Sequence, residues 1–416
     1  MSKYNFPKVV VTGIGAVTSI GNSAQETWDA LLAGKSGAAP ITRFDTTEFD
    51  TKFAHEVKNF DIQQFINRKE AQRMDLFTHF AVAAAAMAIE DSNLNLEQIN
   101  KDRVGVIIAS GIGGMNSYHE QFAGYLQRGK PDRISPFFIP MMIIDIASGH
   151  IAIKYGFRGP NYATVSACAS STHALADALM LIQRGSADIM VVGGAEASVT
   201  PMGIGGFNSM KALSTRNDDP TKASRPFDKE RDGFVIGEGS GVLILETEEH
   251  ALNRGAKIYA EFAGFGLSDD AFHITQPTLI GPYNSMKWAI EDANLSINDV
   301  DYINAHGTST PFNDKNETAA IKELFGEHAY KLLISSSKSM VGHCLGAAGA
   351  VEAMISVLSV YNGIVPPTIN YEFPDPECDL NYVPNTPIKK DINVALSNTF
   401  GFGGHNASVI FKKYTS

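Results

Sequence analysis

Cys168, in the run TVSACASSTHAL, is the side chain of this sequence best placed to act as a nucleophile. A short β-rich stretch leads into a turn of small residues. Leu175, Ala178, Leu179 and Ile182 then recur at helical spacing, and Gly185 is placed to end the helix. A thiol at a helix N-terminus faces unpaired N–H groups and the positive end of the dipole, which favour the thiolate. This is the logic of a strand–turn–helix nucleophile elbow with sulfur in place of oxygen. Taken alone, the run reads equally well as a buried cysteine packing as a small apolar residue. Two histidines shift that balance. His306 lies in NAHGTSTPFND directly after a strand, and His343 lies in SSSKSMVGHCLGAAGA between a strand and a helix. Strand-to-helix transitions are where α/β proteins place their sites. Neither histidine has the spacing of a zinc motif. Singly, each would be a hydrogen-bonded structural residue; one Cys and two His on three such loops are much harder to read as structural.

The elements that must position them follow from the apolar pattern. Runs at 8–12, 103–110, 188–193, 241–246, 300–305, 332–335 and 394–398 read as buried strands separated by helices, an α/β architecture with covered sheets. Residues 88–94 read AIEDSNL and residues 289–295 read AIEDANL, each late in a helix and ahead of a strand. Each half then has a strand, a small-residue turn and an amphipathic helix: NYATVS, ACAS, THALADALMLIQRG, then LLISSS, MVGHCLG, AAGAVEAMISVLSVYNG. This suggests a duplicated unit, with a boundary near Arg254 to Lys257 and a site where equivalent loops of the two halves meet. The expected division is 1–254, carrying the cysteine, and 255–416, carrying the two histidines.

Composition bounds the function. The chain has 416 residues and a net charge of −11, which argues against general nucleic-acid binding. Cys168, Cys344 and Cys378 form neither a disulfide framework nor a metal motif, so a reducing compartment is expected. The start, MSKYNFPKVVVTG, has no apolar signal-peptide core, and the longest apolar run, 81–89, is too short to cross a bilayer. The expectation is a cytoplasmic protein without membrane insertion. Gly13 and Gly15 follow a strand, but Thr18 breaks the dinucleotide pattern. His55, His79, His119 and His150 read as solvated or core residues, and Cys344 as packing.

The combination TVSACAS, NAHGTSTP, SKSMVGH, LGAAGA and SNTFGFGGHN resembles the β-ketoacyl-acyl carrier protein synthases across essentially the whole chain. ALSTRNDDPTKASRPFDKERDGFVIGEGSG is similar to the elongating type II members in particular. The resemblance implies a thiolase-like fold, two related βαβ-type halves packed as a five-layered αβαβα core, a homodimer, and no redox or nucleotide cofactor. It implies decarboxylative condensation of an acyl-Cys enzyme with malonyl-acyl carrier protein, releasing 3-oxoacyl-acyl carrier protein and CO2 in fatty acid elongation.

By the same resemblance, Cys168 takes the acyl group, and neutral His306 and His343 donate hydrogen bonds to the malonyl thioester carbonyl. Lys338 tunes the site electrostatically. The backbone N–H groups of Cys168 and Phe402 form an oxyanion hole, and Phe402 gates the acyl tunnel. Thr308 and Thr310 hold the malonyl or pantetheine group, while Ile112, Phe207 and Phe400 border the substrate. Glu352 joins a network with Lys338, or shares a structural monovalent cation with Asn304, Ser397 and Asn398. Acidic carrier protein calls for a basic dock, for which Arg68, Lys69, Arg73, Lys130, Arg133 and Lys211 are the candidates. Two departures from the family stand out. Val341 replaces a common threonine, which removes a hydrogen bond, and Ser171 replaces a frequent glycine, which narrows the pocket. A ketosynthase of a polyketide or aryl-polyene pathway, or a non-catalytic chain-length partner subunit, would share most of these motifs. Retention of Cys168 speaks against the latter.

Overall fold

The computed structural model describes residues 6–415. Ten strands form one hydrogen-bonded ladder: β1 Val9–Val17, β2 Val104–Ala109, β3 Asn161–Tyr162, β4 Ile189–Glu196, β5 Gly239–Thr247, β6 Ala260–Asp269, β7 Tyr302–Asn304, β8 Leu333–Ser335, β9 Val394–Gly401 and β10 His405–Lys412. Their order is β8-β7-β9-β10-β6-β1-β5-β4-β2-β3. Each set of five repeats one plan. The third, second and fourth strands pair in parallel, and the fifth and first follow antiparallel. The sets join edge to edge through β1 and β6, where Val9, Val10 and Val11 face Phe262, Glu261 and Ala260.

Four helices complete the layers: α1 Leu76–Asp91, α2 Ser170–Gln183, α3 Ile280–Asp292 and α4 Ala348–Asn362. α1 covers the outer face of the first five strands and α3 that of the second, whereas α2 and α4 pack on each other and on strands of both sets. That is the five-layered αβαβα arrangement. α4 is apolar and buried from Ala348 to Val360, as an internal helix must be. The 18 residues Leu345–Asn362 are long and apolar enough to cross a membrane, yet 89% of that stretch is buried inside the fold.

The AIED segments end α1 and α3, and each helix is followed by an asparagine at positive φ, Asn93 and Asn294. Beneath each lies a glycine pair. A Cβ on Gly15 would sit 2.1 Å from the carbonyl oxygen of Ala84, and one on Gly266 would sit 2.0 Å from that of Ser285. The glycines of β1 therefore let a helix approach the sheet, which explains a glycine pattern unrelated to nucleotide binding. All seven strands expected from the pattern are present, several of them longer. β6 alternates buried and half-buried positions, and β3 is a two-residue exposed pair; neither belongs to the expected set.

Candidate active site

Cys168 sits one residue before the N-cap of α2, at the end of a turn in which Ala167 has φ of +50°. A non-glycine residue in that region stores strain of about 1 kcal/mol or more. The β9–β10 turn closes over the sulfur. A Cβ on Gly401 would lie 3.0 Å from the Ser166 carbonyl oxygen and 3.1 Å from the Cys168 nitrogen, so only glycine lets the backbone come so close. The Phe402 N–H, in the same turn, favours the ionised form of the Cys168 sulfur.

His306 follows β7. Its N–H and that of Gly307 both donate to the buried carboxylate of Glu317, at 2.8 Å each, and Asn398 Nδ2 donates to the same group at 3.2 Å. Burial pushes Glu317 up to about 7, against the pull of these donors. His343 is clamped by the segment 235–237: its N–H donates to Val235 O, and its carbonyl accepts from Gly237 N–H. This gives the GFVIGEG motif a positioning role. His343 Nε2 is 3.0 Å from Cys168 Sγ, and the two imidazoles meet edge to face at 5.4 Å. The sulfur and one nitrogen of each ring all lie within 4.8 Å of one another.

The two imidazoles are buried, and the electrostatics of the site follow from that. Burial, reinforced by the Lys338 ammonium, holds both imidazoles well below 6.5, so they are neutral at physiological pH. Burial also pushes the Cys168 thiol up to about 12, opposed by Lys338 and the Phe402 N–H. Desolvation thus works against the thiolate that the helix terminus favours. Lys338 is buried in an ion pair with Glu352, itself raised to about 7 by burial. A positive charge beside a protonated thiol disfavours a metal ion, although the Cys-His-His spread would otherwise suit one.

The three groups open into a cavity of about 610 Å³. Thr308, Thr310, Ile112, Phe207, Phe400, Phe402 and Lys211 line it. Thr308 and Thr310 hydrogen-bond each other at 2.8 Å, and Phe400 packs edge-on to His306. Lys338 lies behind the cavity wall. Arg68, Lys69, Arg73, Lys130 and Arg133 are exposed but do not line the cavity. The Arg73 guanidinium lies 4.6 Å above the Phe137 ring, which ties these two basic groups together. Asn304 and Glu352 each keep a buried oxygen without a partner, and Ser397 faces Asn304 across the β7–β9 register. The Asn398 side-chain oxygen already accepts from Ser408.

Ser171 does not narrow the pocket. Its hydroxyl accepts the Ala350 N–H at 2.9 Å and so caps α4 from α2. Val341 is buried, and its carbonyl faces Cys344, whose own thiol points at backbone oxygens and packs as expected. Among cavity residues, Phe234, Asp270 and the segment 273–277 are absent from the sequence-derived set, although the apolar Ile274 in a turn-rich loop was a signal. Glu317 is the other omission. Asp314, Glu317, Thr318 and Ile321 repeat on one helical face, and the acidic members of a buried face mark positions that need donors.

Residues 7–251 match the family "Beta-ketoacyl synthase, N-terminal domain" and residues 259–372 match "Beta-ketoacyl synthase, C-terminal domain". The chain is 53% identical over 416 residues to 3-oxoacyl-[acyl-carrier-protein] synthase 2 of Synechocystis sp., covering 100% of both. It is 50% identical over 409 residues to the protein of that name from Staphylococcus aureus, covering 98% of both. Among solved structures it resembles the ishigamide ketosynthase/chain length factor, with a TM-score of 0.93 and 36% identity over 99% of this chain and 100% of that one. It also resembles a type II PKS acyl-carrier protein in complex with its ketosynthase bound to the hexaketide, with a TM-score of 0.91 and 36% identity over 99% and 100%.

Proposed function

Because the chain belongs to the β-ketoacyl synthase family, with its thiolase-like fold, we propose the following residue roles in the condensation of acyl and malonyl carrier thioesters. The protein is a 3-oxoacyl-acyl carrier protein synthase of type II, an acyltransferase of fatty acid elongation that needs no cofactor. The observation that supports the roles best is the Cys168–His343 contact of 3.0 Å, with His306 beside it, in a buried cavity.

In the first half-reaction the sulfur attacks the acyl thioester carbonyl. A new S–C bond forms, the bond to the carrier sulfur breaks, and the thiol proton passes by way of His343 Nε2 to the departing thiolate. The N–H groups of Cys168 and Phe402 stabilise the intermediate oxyanion. In the second, His306 and His343 donate to the malonyl thioester carbonyl, and Thr308 and Thr310 hold its pantetheine arm. The bond to the carboxylate breaks, CO2 leaves, and the electron pair becomes an enolate that the two neutral donors stabilise. Its carbon attacks the acyl carbonyl, and the Cys168–acyl bond breaks as the sulfur takes up a proton from solvent, the one proton that the condensation consumes. Purified protein with acyl- and malonyl-acyl carrier protein should release CO2 and 3-oxoacyl product in equal amounts. CO2 without condensed product would contradict the reading.

Ile112, Phe207, Phe400 and Phe402 border the acyl chain. Ile112→Phe should shorten the longest chain accepted and leave short-chain condensation near normal, because the larger ring takes up space in the cavity that Ile112 lines. An unchanged length profile would remove Ile112 from the lining.

The acidic carrier protein docks on Lys211 at the cavity mouth and on Arg68, Lys69, Arg73, Lys130 and Arg133. Lys211 pairs with Asp50 at 3.1 Å, but both are exposed, so little of its charge is lost to that pair. Lys69→Glu with Lys211→Glu should raise the KM for carrier-bound substrates and flatten its salt dependence. Small pantetheine thioesters should be unaffected; equal losses with both would place the dock elsewhere.

The protein is a cytoplasmic homodimer in this reading. The rings of Tyr118, Phe122 and Phe138 pack together on an exposed face, and β3 ends the ladder, so an apolar patch and a sheet edge invite a second copy. The division at 254/255 and a monovalent cation at Asn304, Glu352, Ser397 and Asn398 belong to the same proposal. The partnerless oxygens of Asn304 and Glu352 favour the cation, while the Asn398 side chain would contribute nothing to it.

A further inference from the structure

Glu196 is the last residue of β4, fully buried, and no cation pairs with it among the described residues. Its carboxylate accepts from five neutral donors. Oε2 takes the N–H of Gly111 at 2.7 Å and of Gly346 at 3.0 Å; Oε1 takes Ser110 Oγ at 3.0 Å, Ser198 Oγ at 3.1 Å and the Ile112 N–H at 3.3 Å. Ser198 lies two residues past Glu196 in the chain, and the other four donors come from two separate loops. The first ends β2 and carries Ile112 in the acyl wall. The second follows His343, and its Leu345, held at φ of +45°, also lines the cavity. The loops touch: a Cβ on Gly346 would lie 2.0 Å from the Gly111 nitrogen. The carboxylate is the group both share.

We propose that Glu196 is a positioning residue that locks the acyl-tunnel wall at Ile112 and the His343 turn into one register, coupling chain-length selection to the geometry of decarboxylation. Five donors crowd two oxygens, so an amide in that place turns its own N–H bonds against two or three of them, whichever way it is flipped. Burial raises the Glu196 carboxyl against the pull of its donors; in its ionised form it adds to the burial of the thiol in opposing ionisation of Cys168.

The proposal rests on the condensing reading, which wild-type turnover in the same assay checks separately. No condensation by wild type would overturn the reading, whereas normal wild-type turnover beside an unaltered variant would overturn only the proposal. Glu196→Gln should broaden the accepted acyl lengths and cut decarboxylation of malonyl carrier protein about tenfold or more, the scale of loss from a sub-ångström misplacement. The pH profile of Cys168 alkylation by iodoacetamide should move to lower pH, a change that mere loosening of the fold would not produce. Should Glu196→Gln not fold, Ser110→Ala with Ser198→Ala removes two donors and keeps the carboxyl group. It should broaden the length profile. An unchanged length profile and an unchanged decarboxylation rate in whichever variant folds would overturn the proposal.

Discussion

Cys168→Ser should give a folded protein that takes up no acyl group, with a loss of about a thousandfold or more, as removal of a covalent nucleophile typically costs. The substitution changes little in packing, since serine is smaller and the surrounding turn is built of small residues. The chemistry changes far more. A hydroxyl there has a still higher barrier to ionisation than the thiol, which burial already pushes up to about 12. His343 is neutral and too weak a base to compensate. Incubation with acyl carrier protein followed by intact mass measurement reads the adduct directly. A normal adduct on the variant, or a wild-type adduct that maps to Cys344, would defeat the assignment.

The histidines should fail in the other half-reaction. His306→Ala should lower decarboxylation of malonyl carrier protein by at least about a hundredfold, the usual cost of one oxyanion donor. Acylation should survive, because no hydrogen bond joins His306 to the sulfur. His343→Ala should lose decarboxylation similarly and also slow acylation, since its Nε2 lies 3.0 Å from Sγ. That second loss should recover as pH rises, when solvent base removes the thiol proton instead. The double variant should be little worse than the worse single one. Both rings are held below 6.5, so they gain protons only at lower pH, and wild-type decarboxylation should not fall as pH drops through 6.5. Labelled CO2 release alongside the mass assay decides the matter. A His306 variant that decarboxylates normally but cannot be acylated would make the ring a base for the thiol.

Cys168, His306 and His343 were legible because each lies in a small-residue or glycine-rich transition between strand and helix, where local sequence dictates local geometry. The buried strands were legible because both of their faces are covered and read as unbroken apolar runs. β3 was not: it is two residues long, polar and exposed, and only its pairing with β2 makes it a strand. β6 hid behind its glycines. Glu196 and Glu317 escaped for a different reason, since each carboxylate is satisfied by backbone N–H groups from other parts of the chain, and a backbone donor leaves no mark in a sequence. Ser171 shows the same limit. Its role as a cap for a helix begun 177 residues later depends on α2 and α4 lying together in the central layer.

The ladder also brings together the strands that come first and last in the sequence. Phe262 on β6 is flanked by Val9 of β1 on one side and Phe411 of β10 on the other. Two strand spacings put these residues roughly 10 Å apart. The β9–β10 turn lies at the opposite end of β10, next to His405. A short linker from residue 412 back to residue 9 would therefore close the chain into a ring without crossing the tunnel mouth. New ends could be opened in the Arg254–Lys257 connection, giving a permuted chain in which the histidine half is synthesised before the cysteine half.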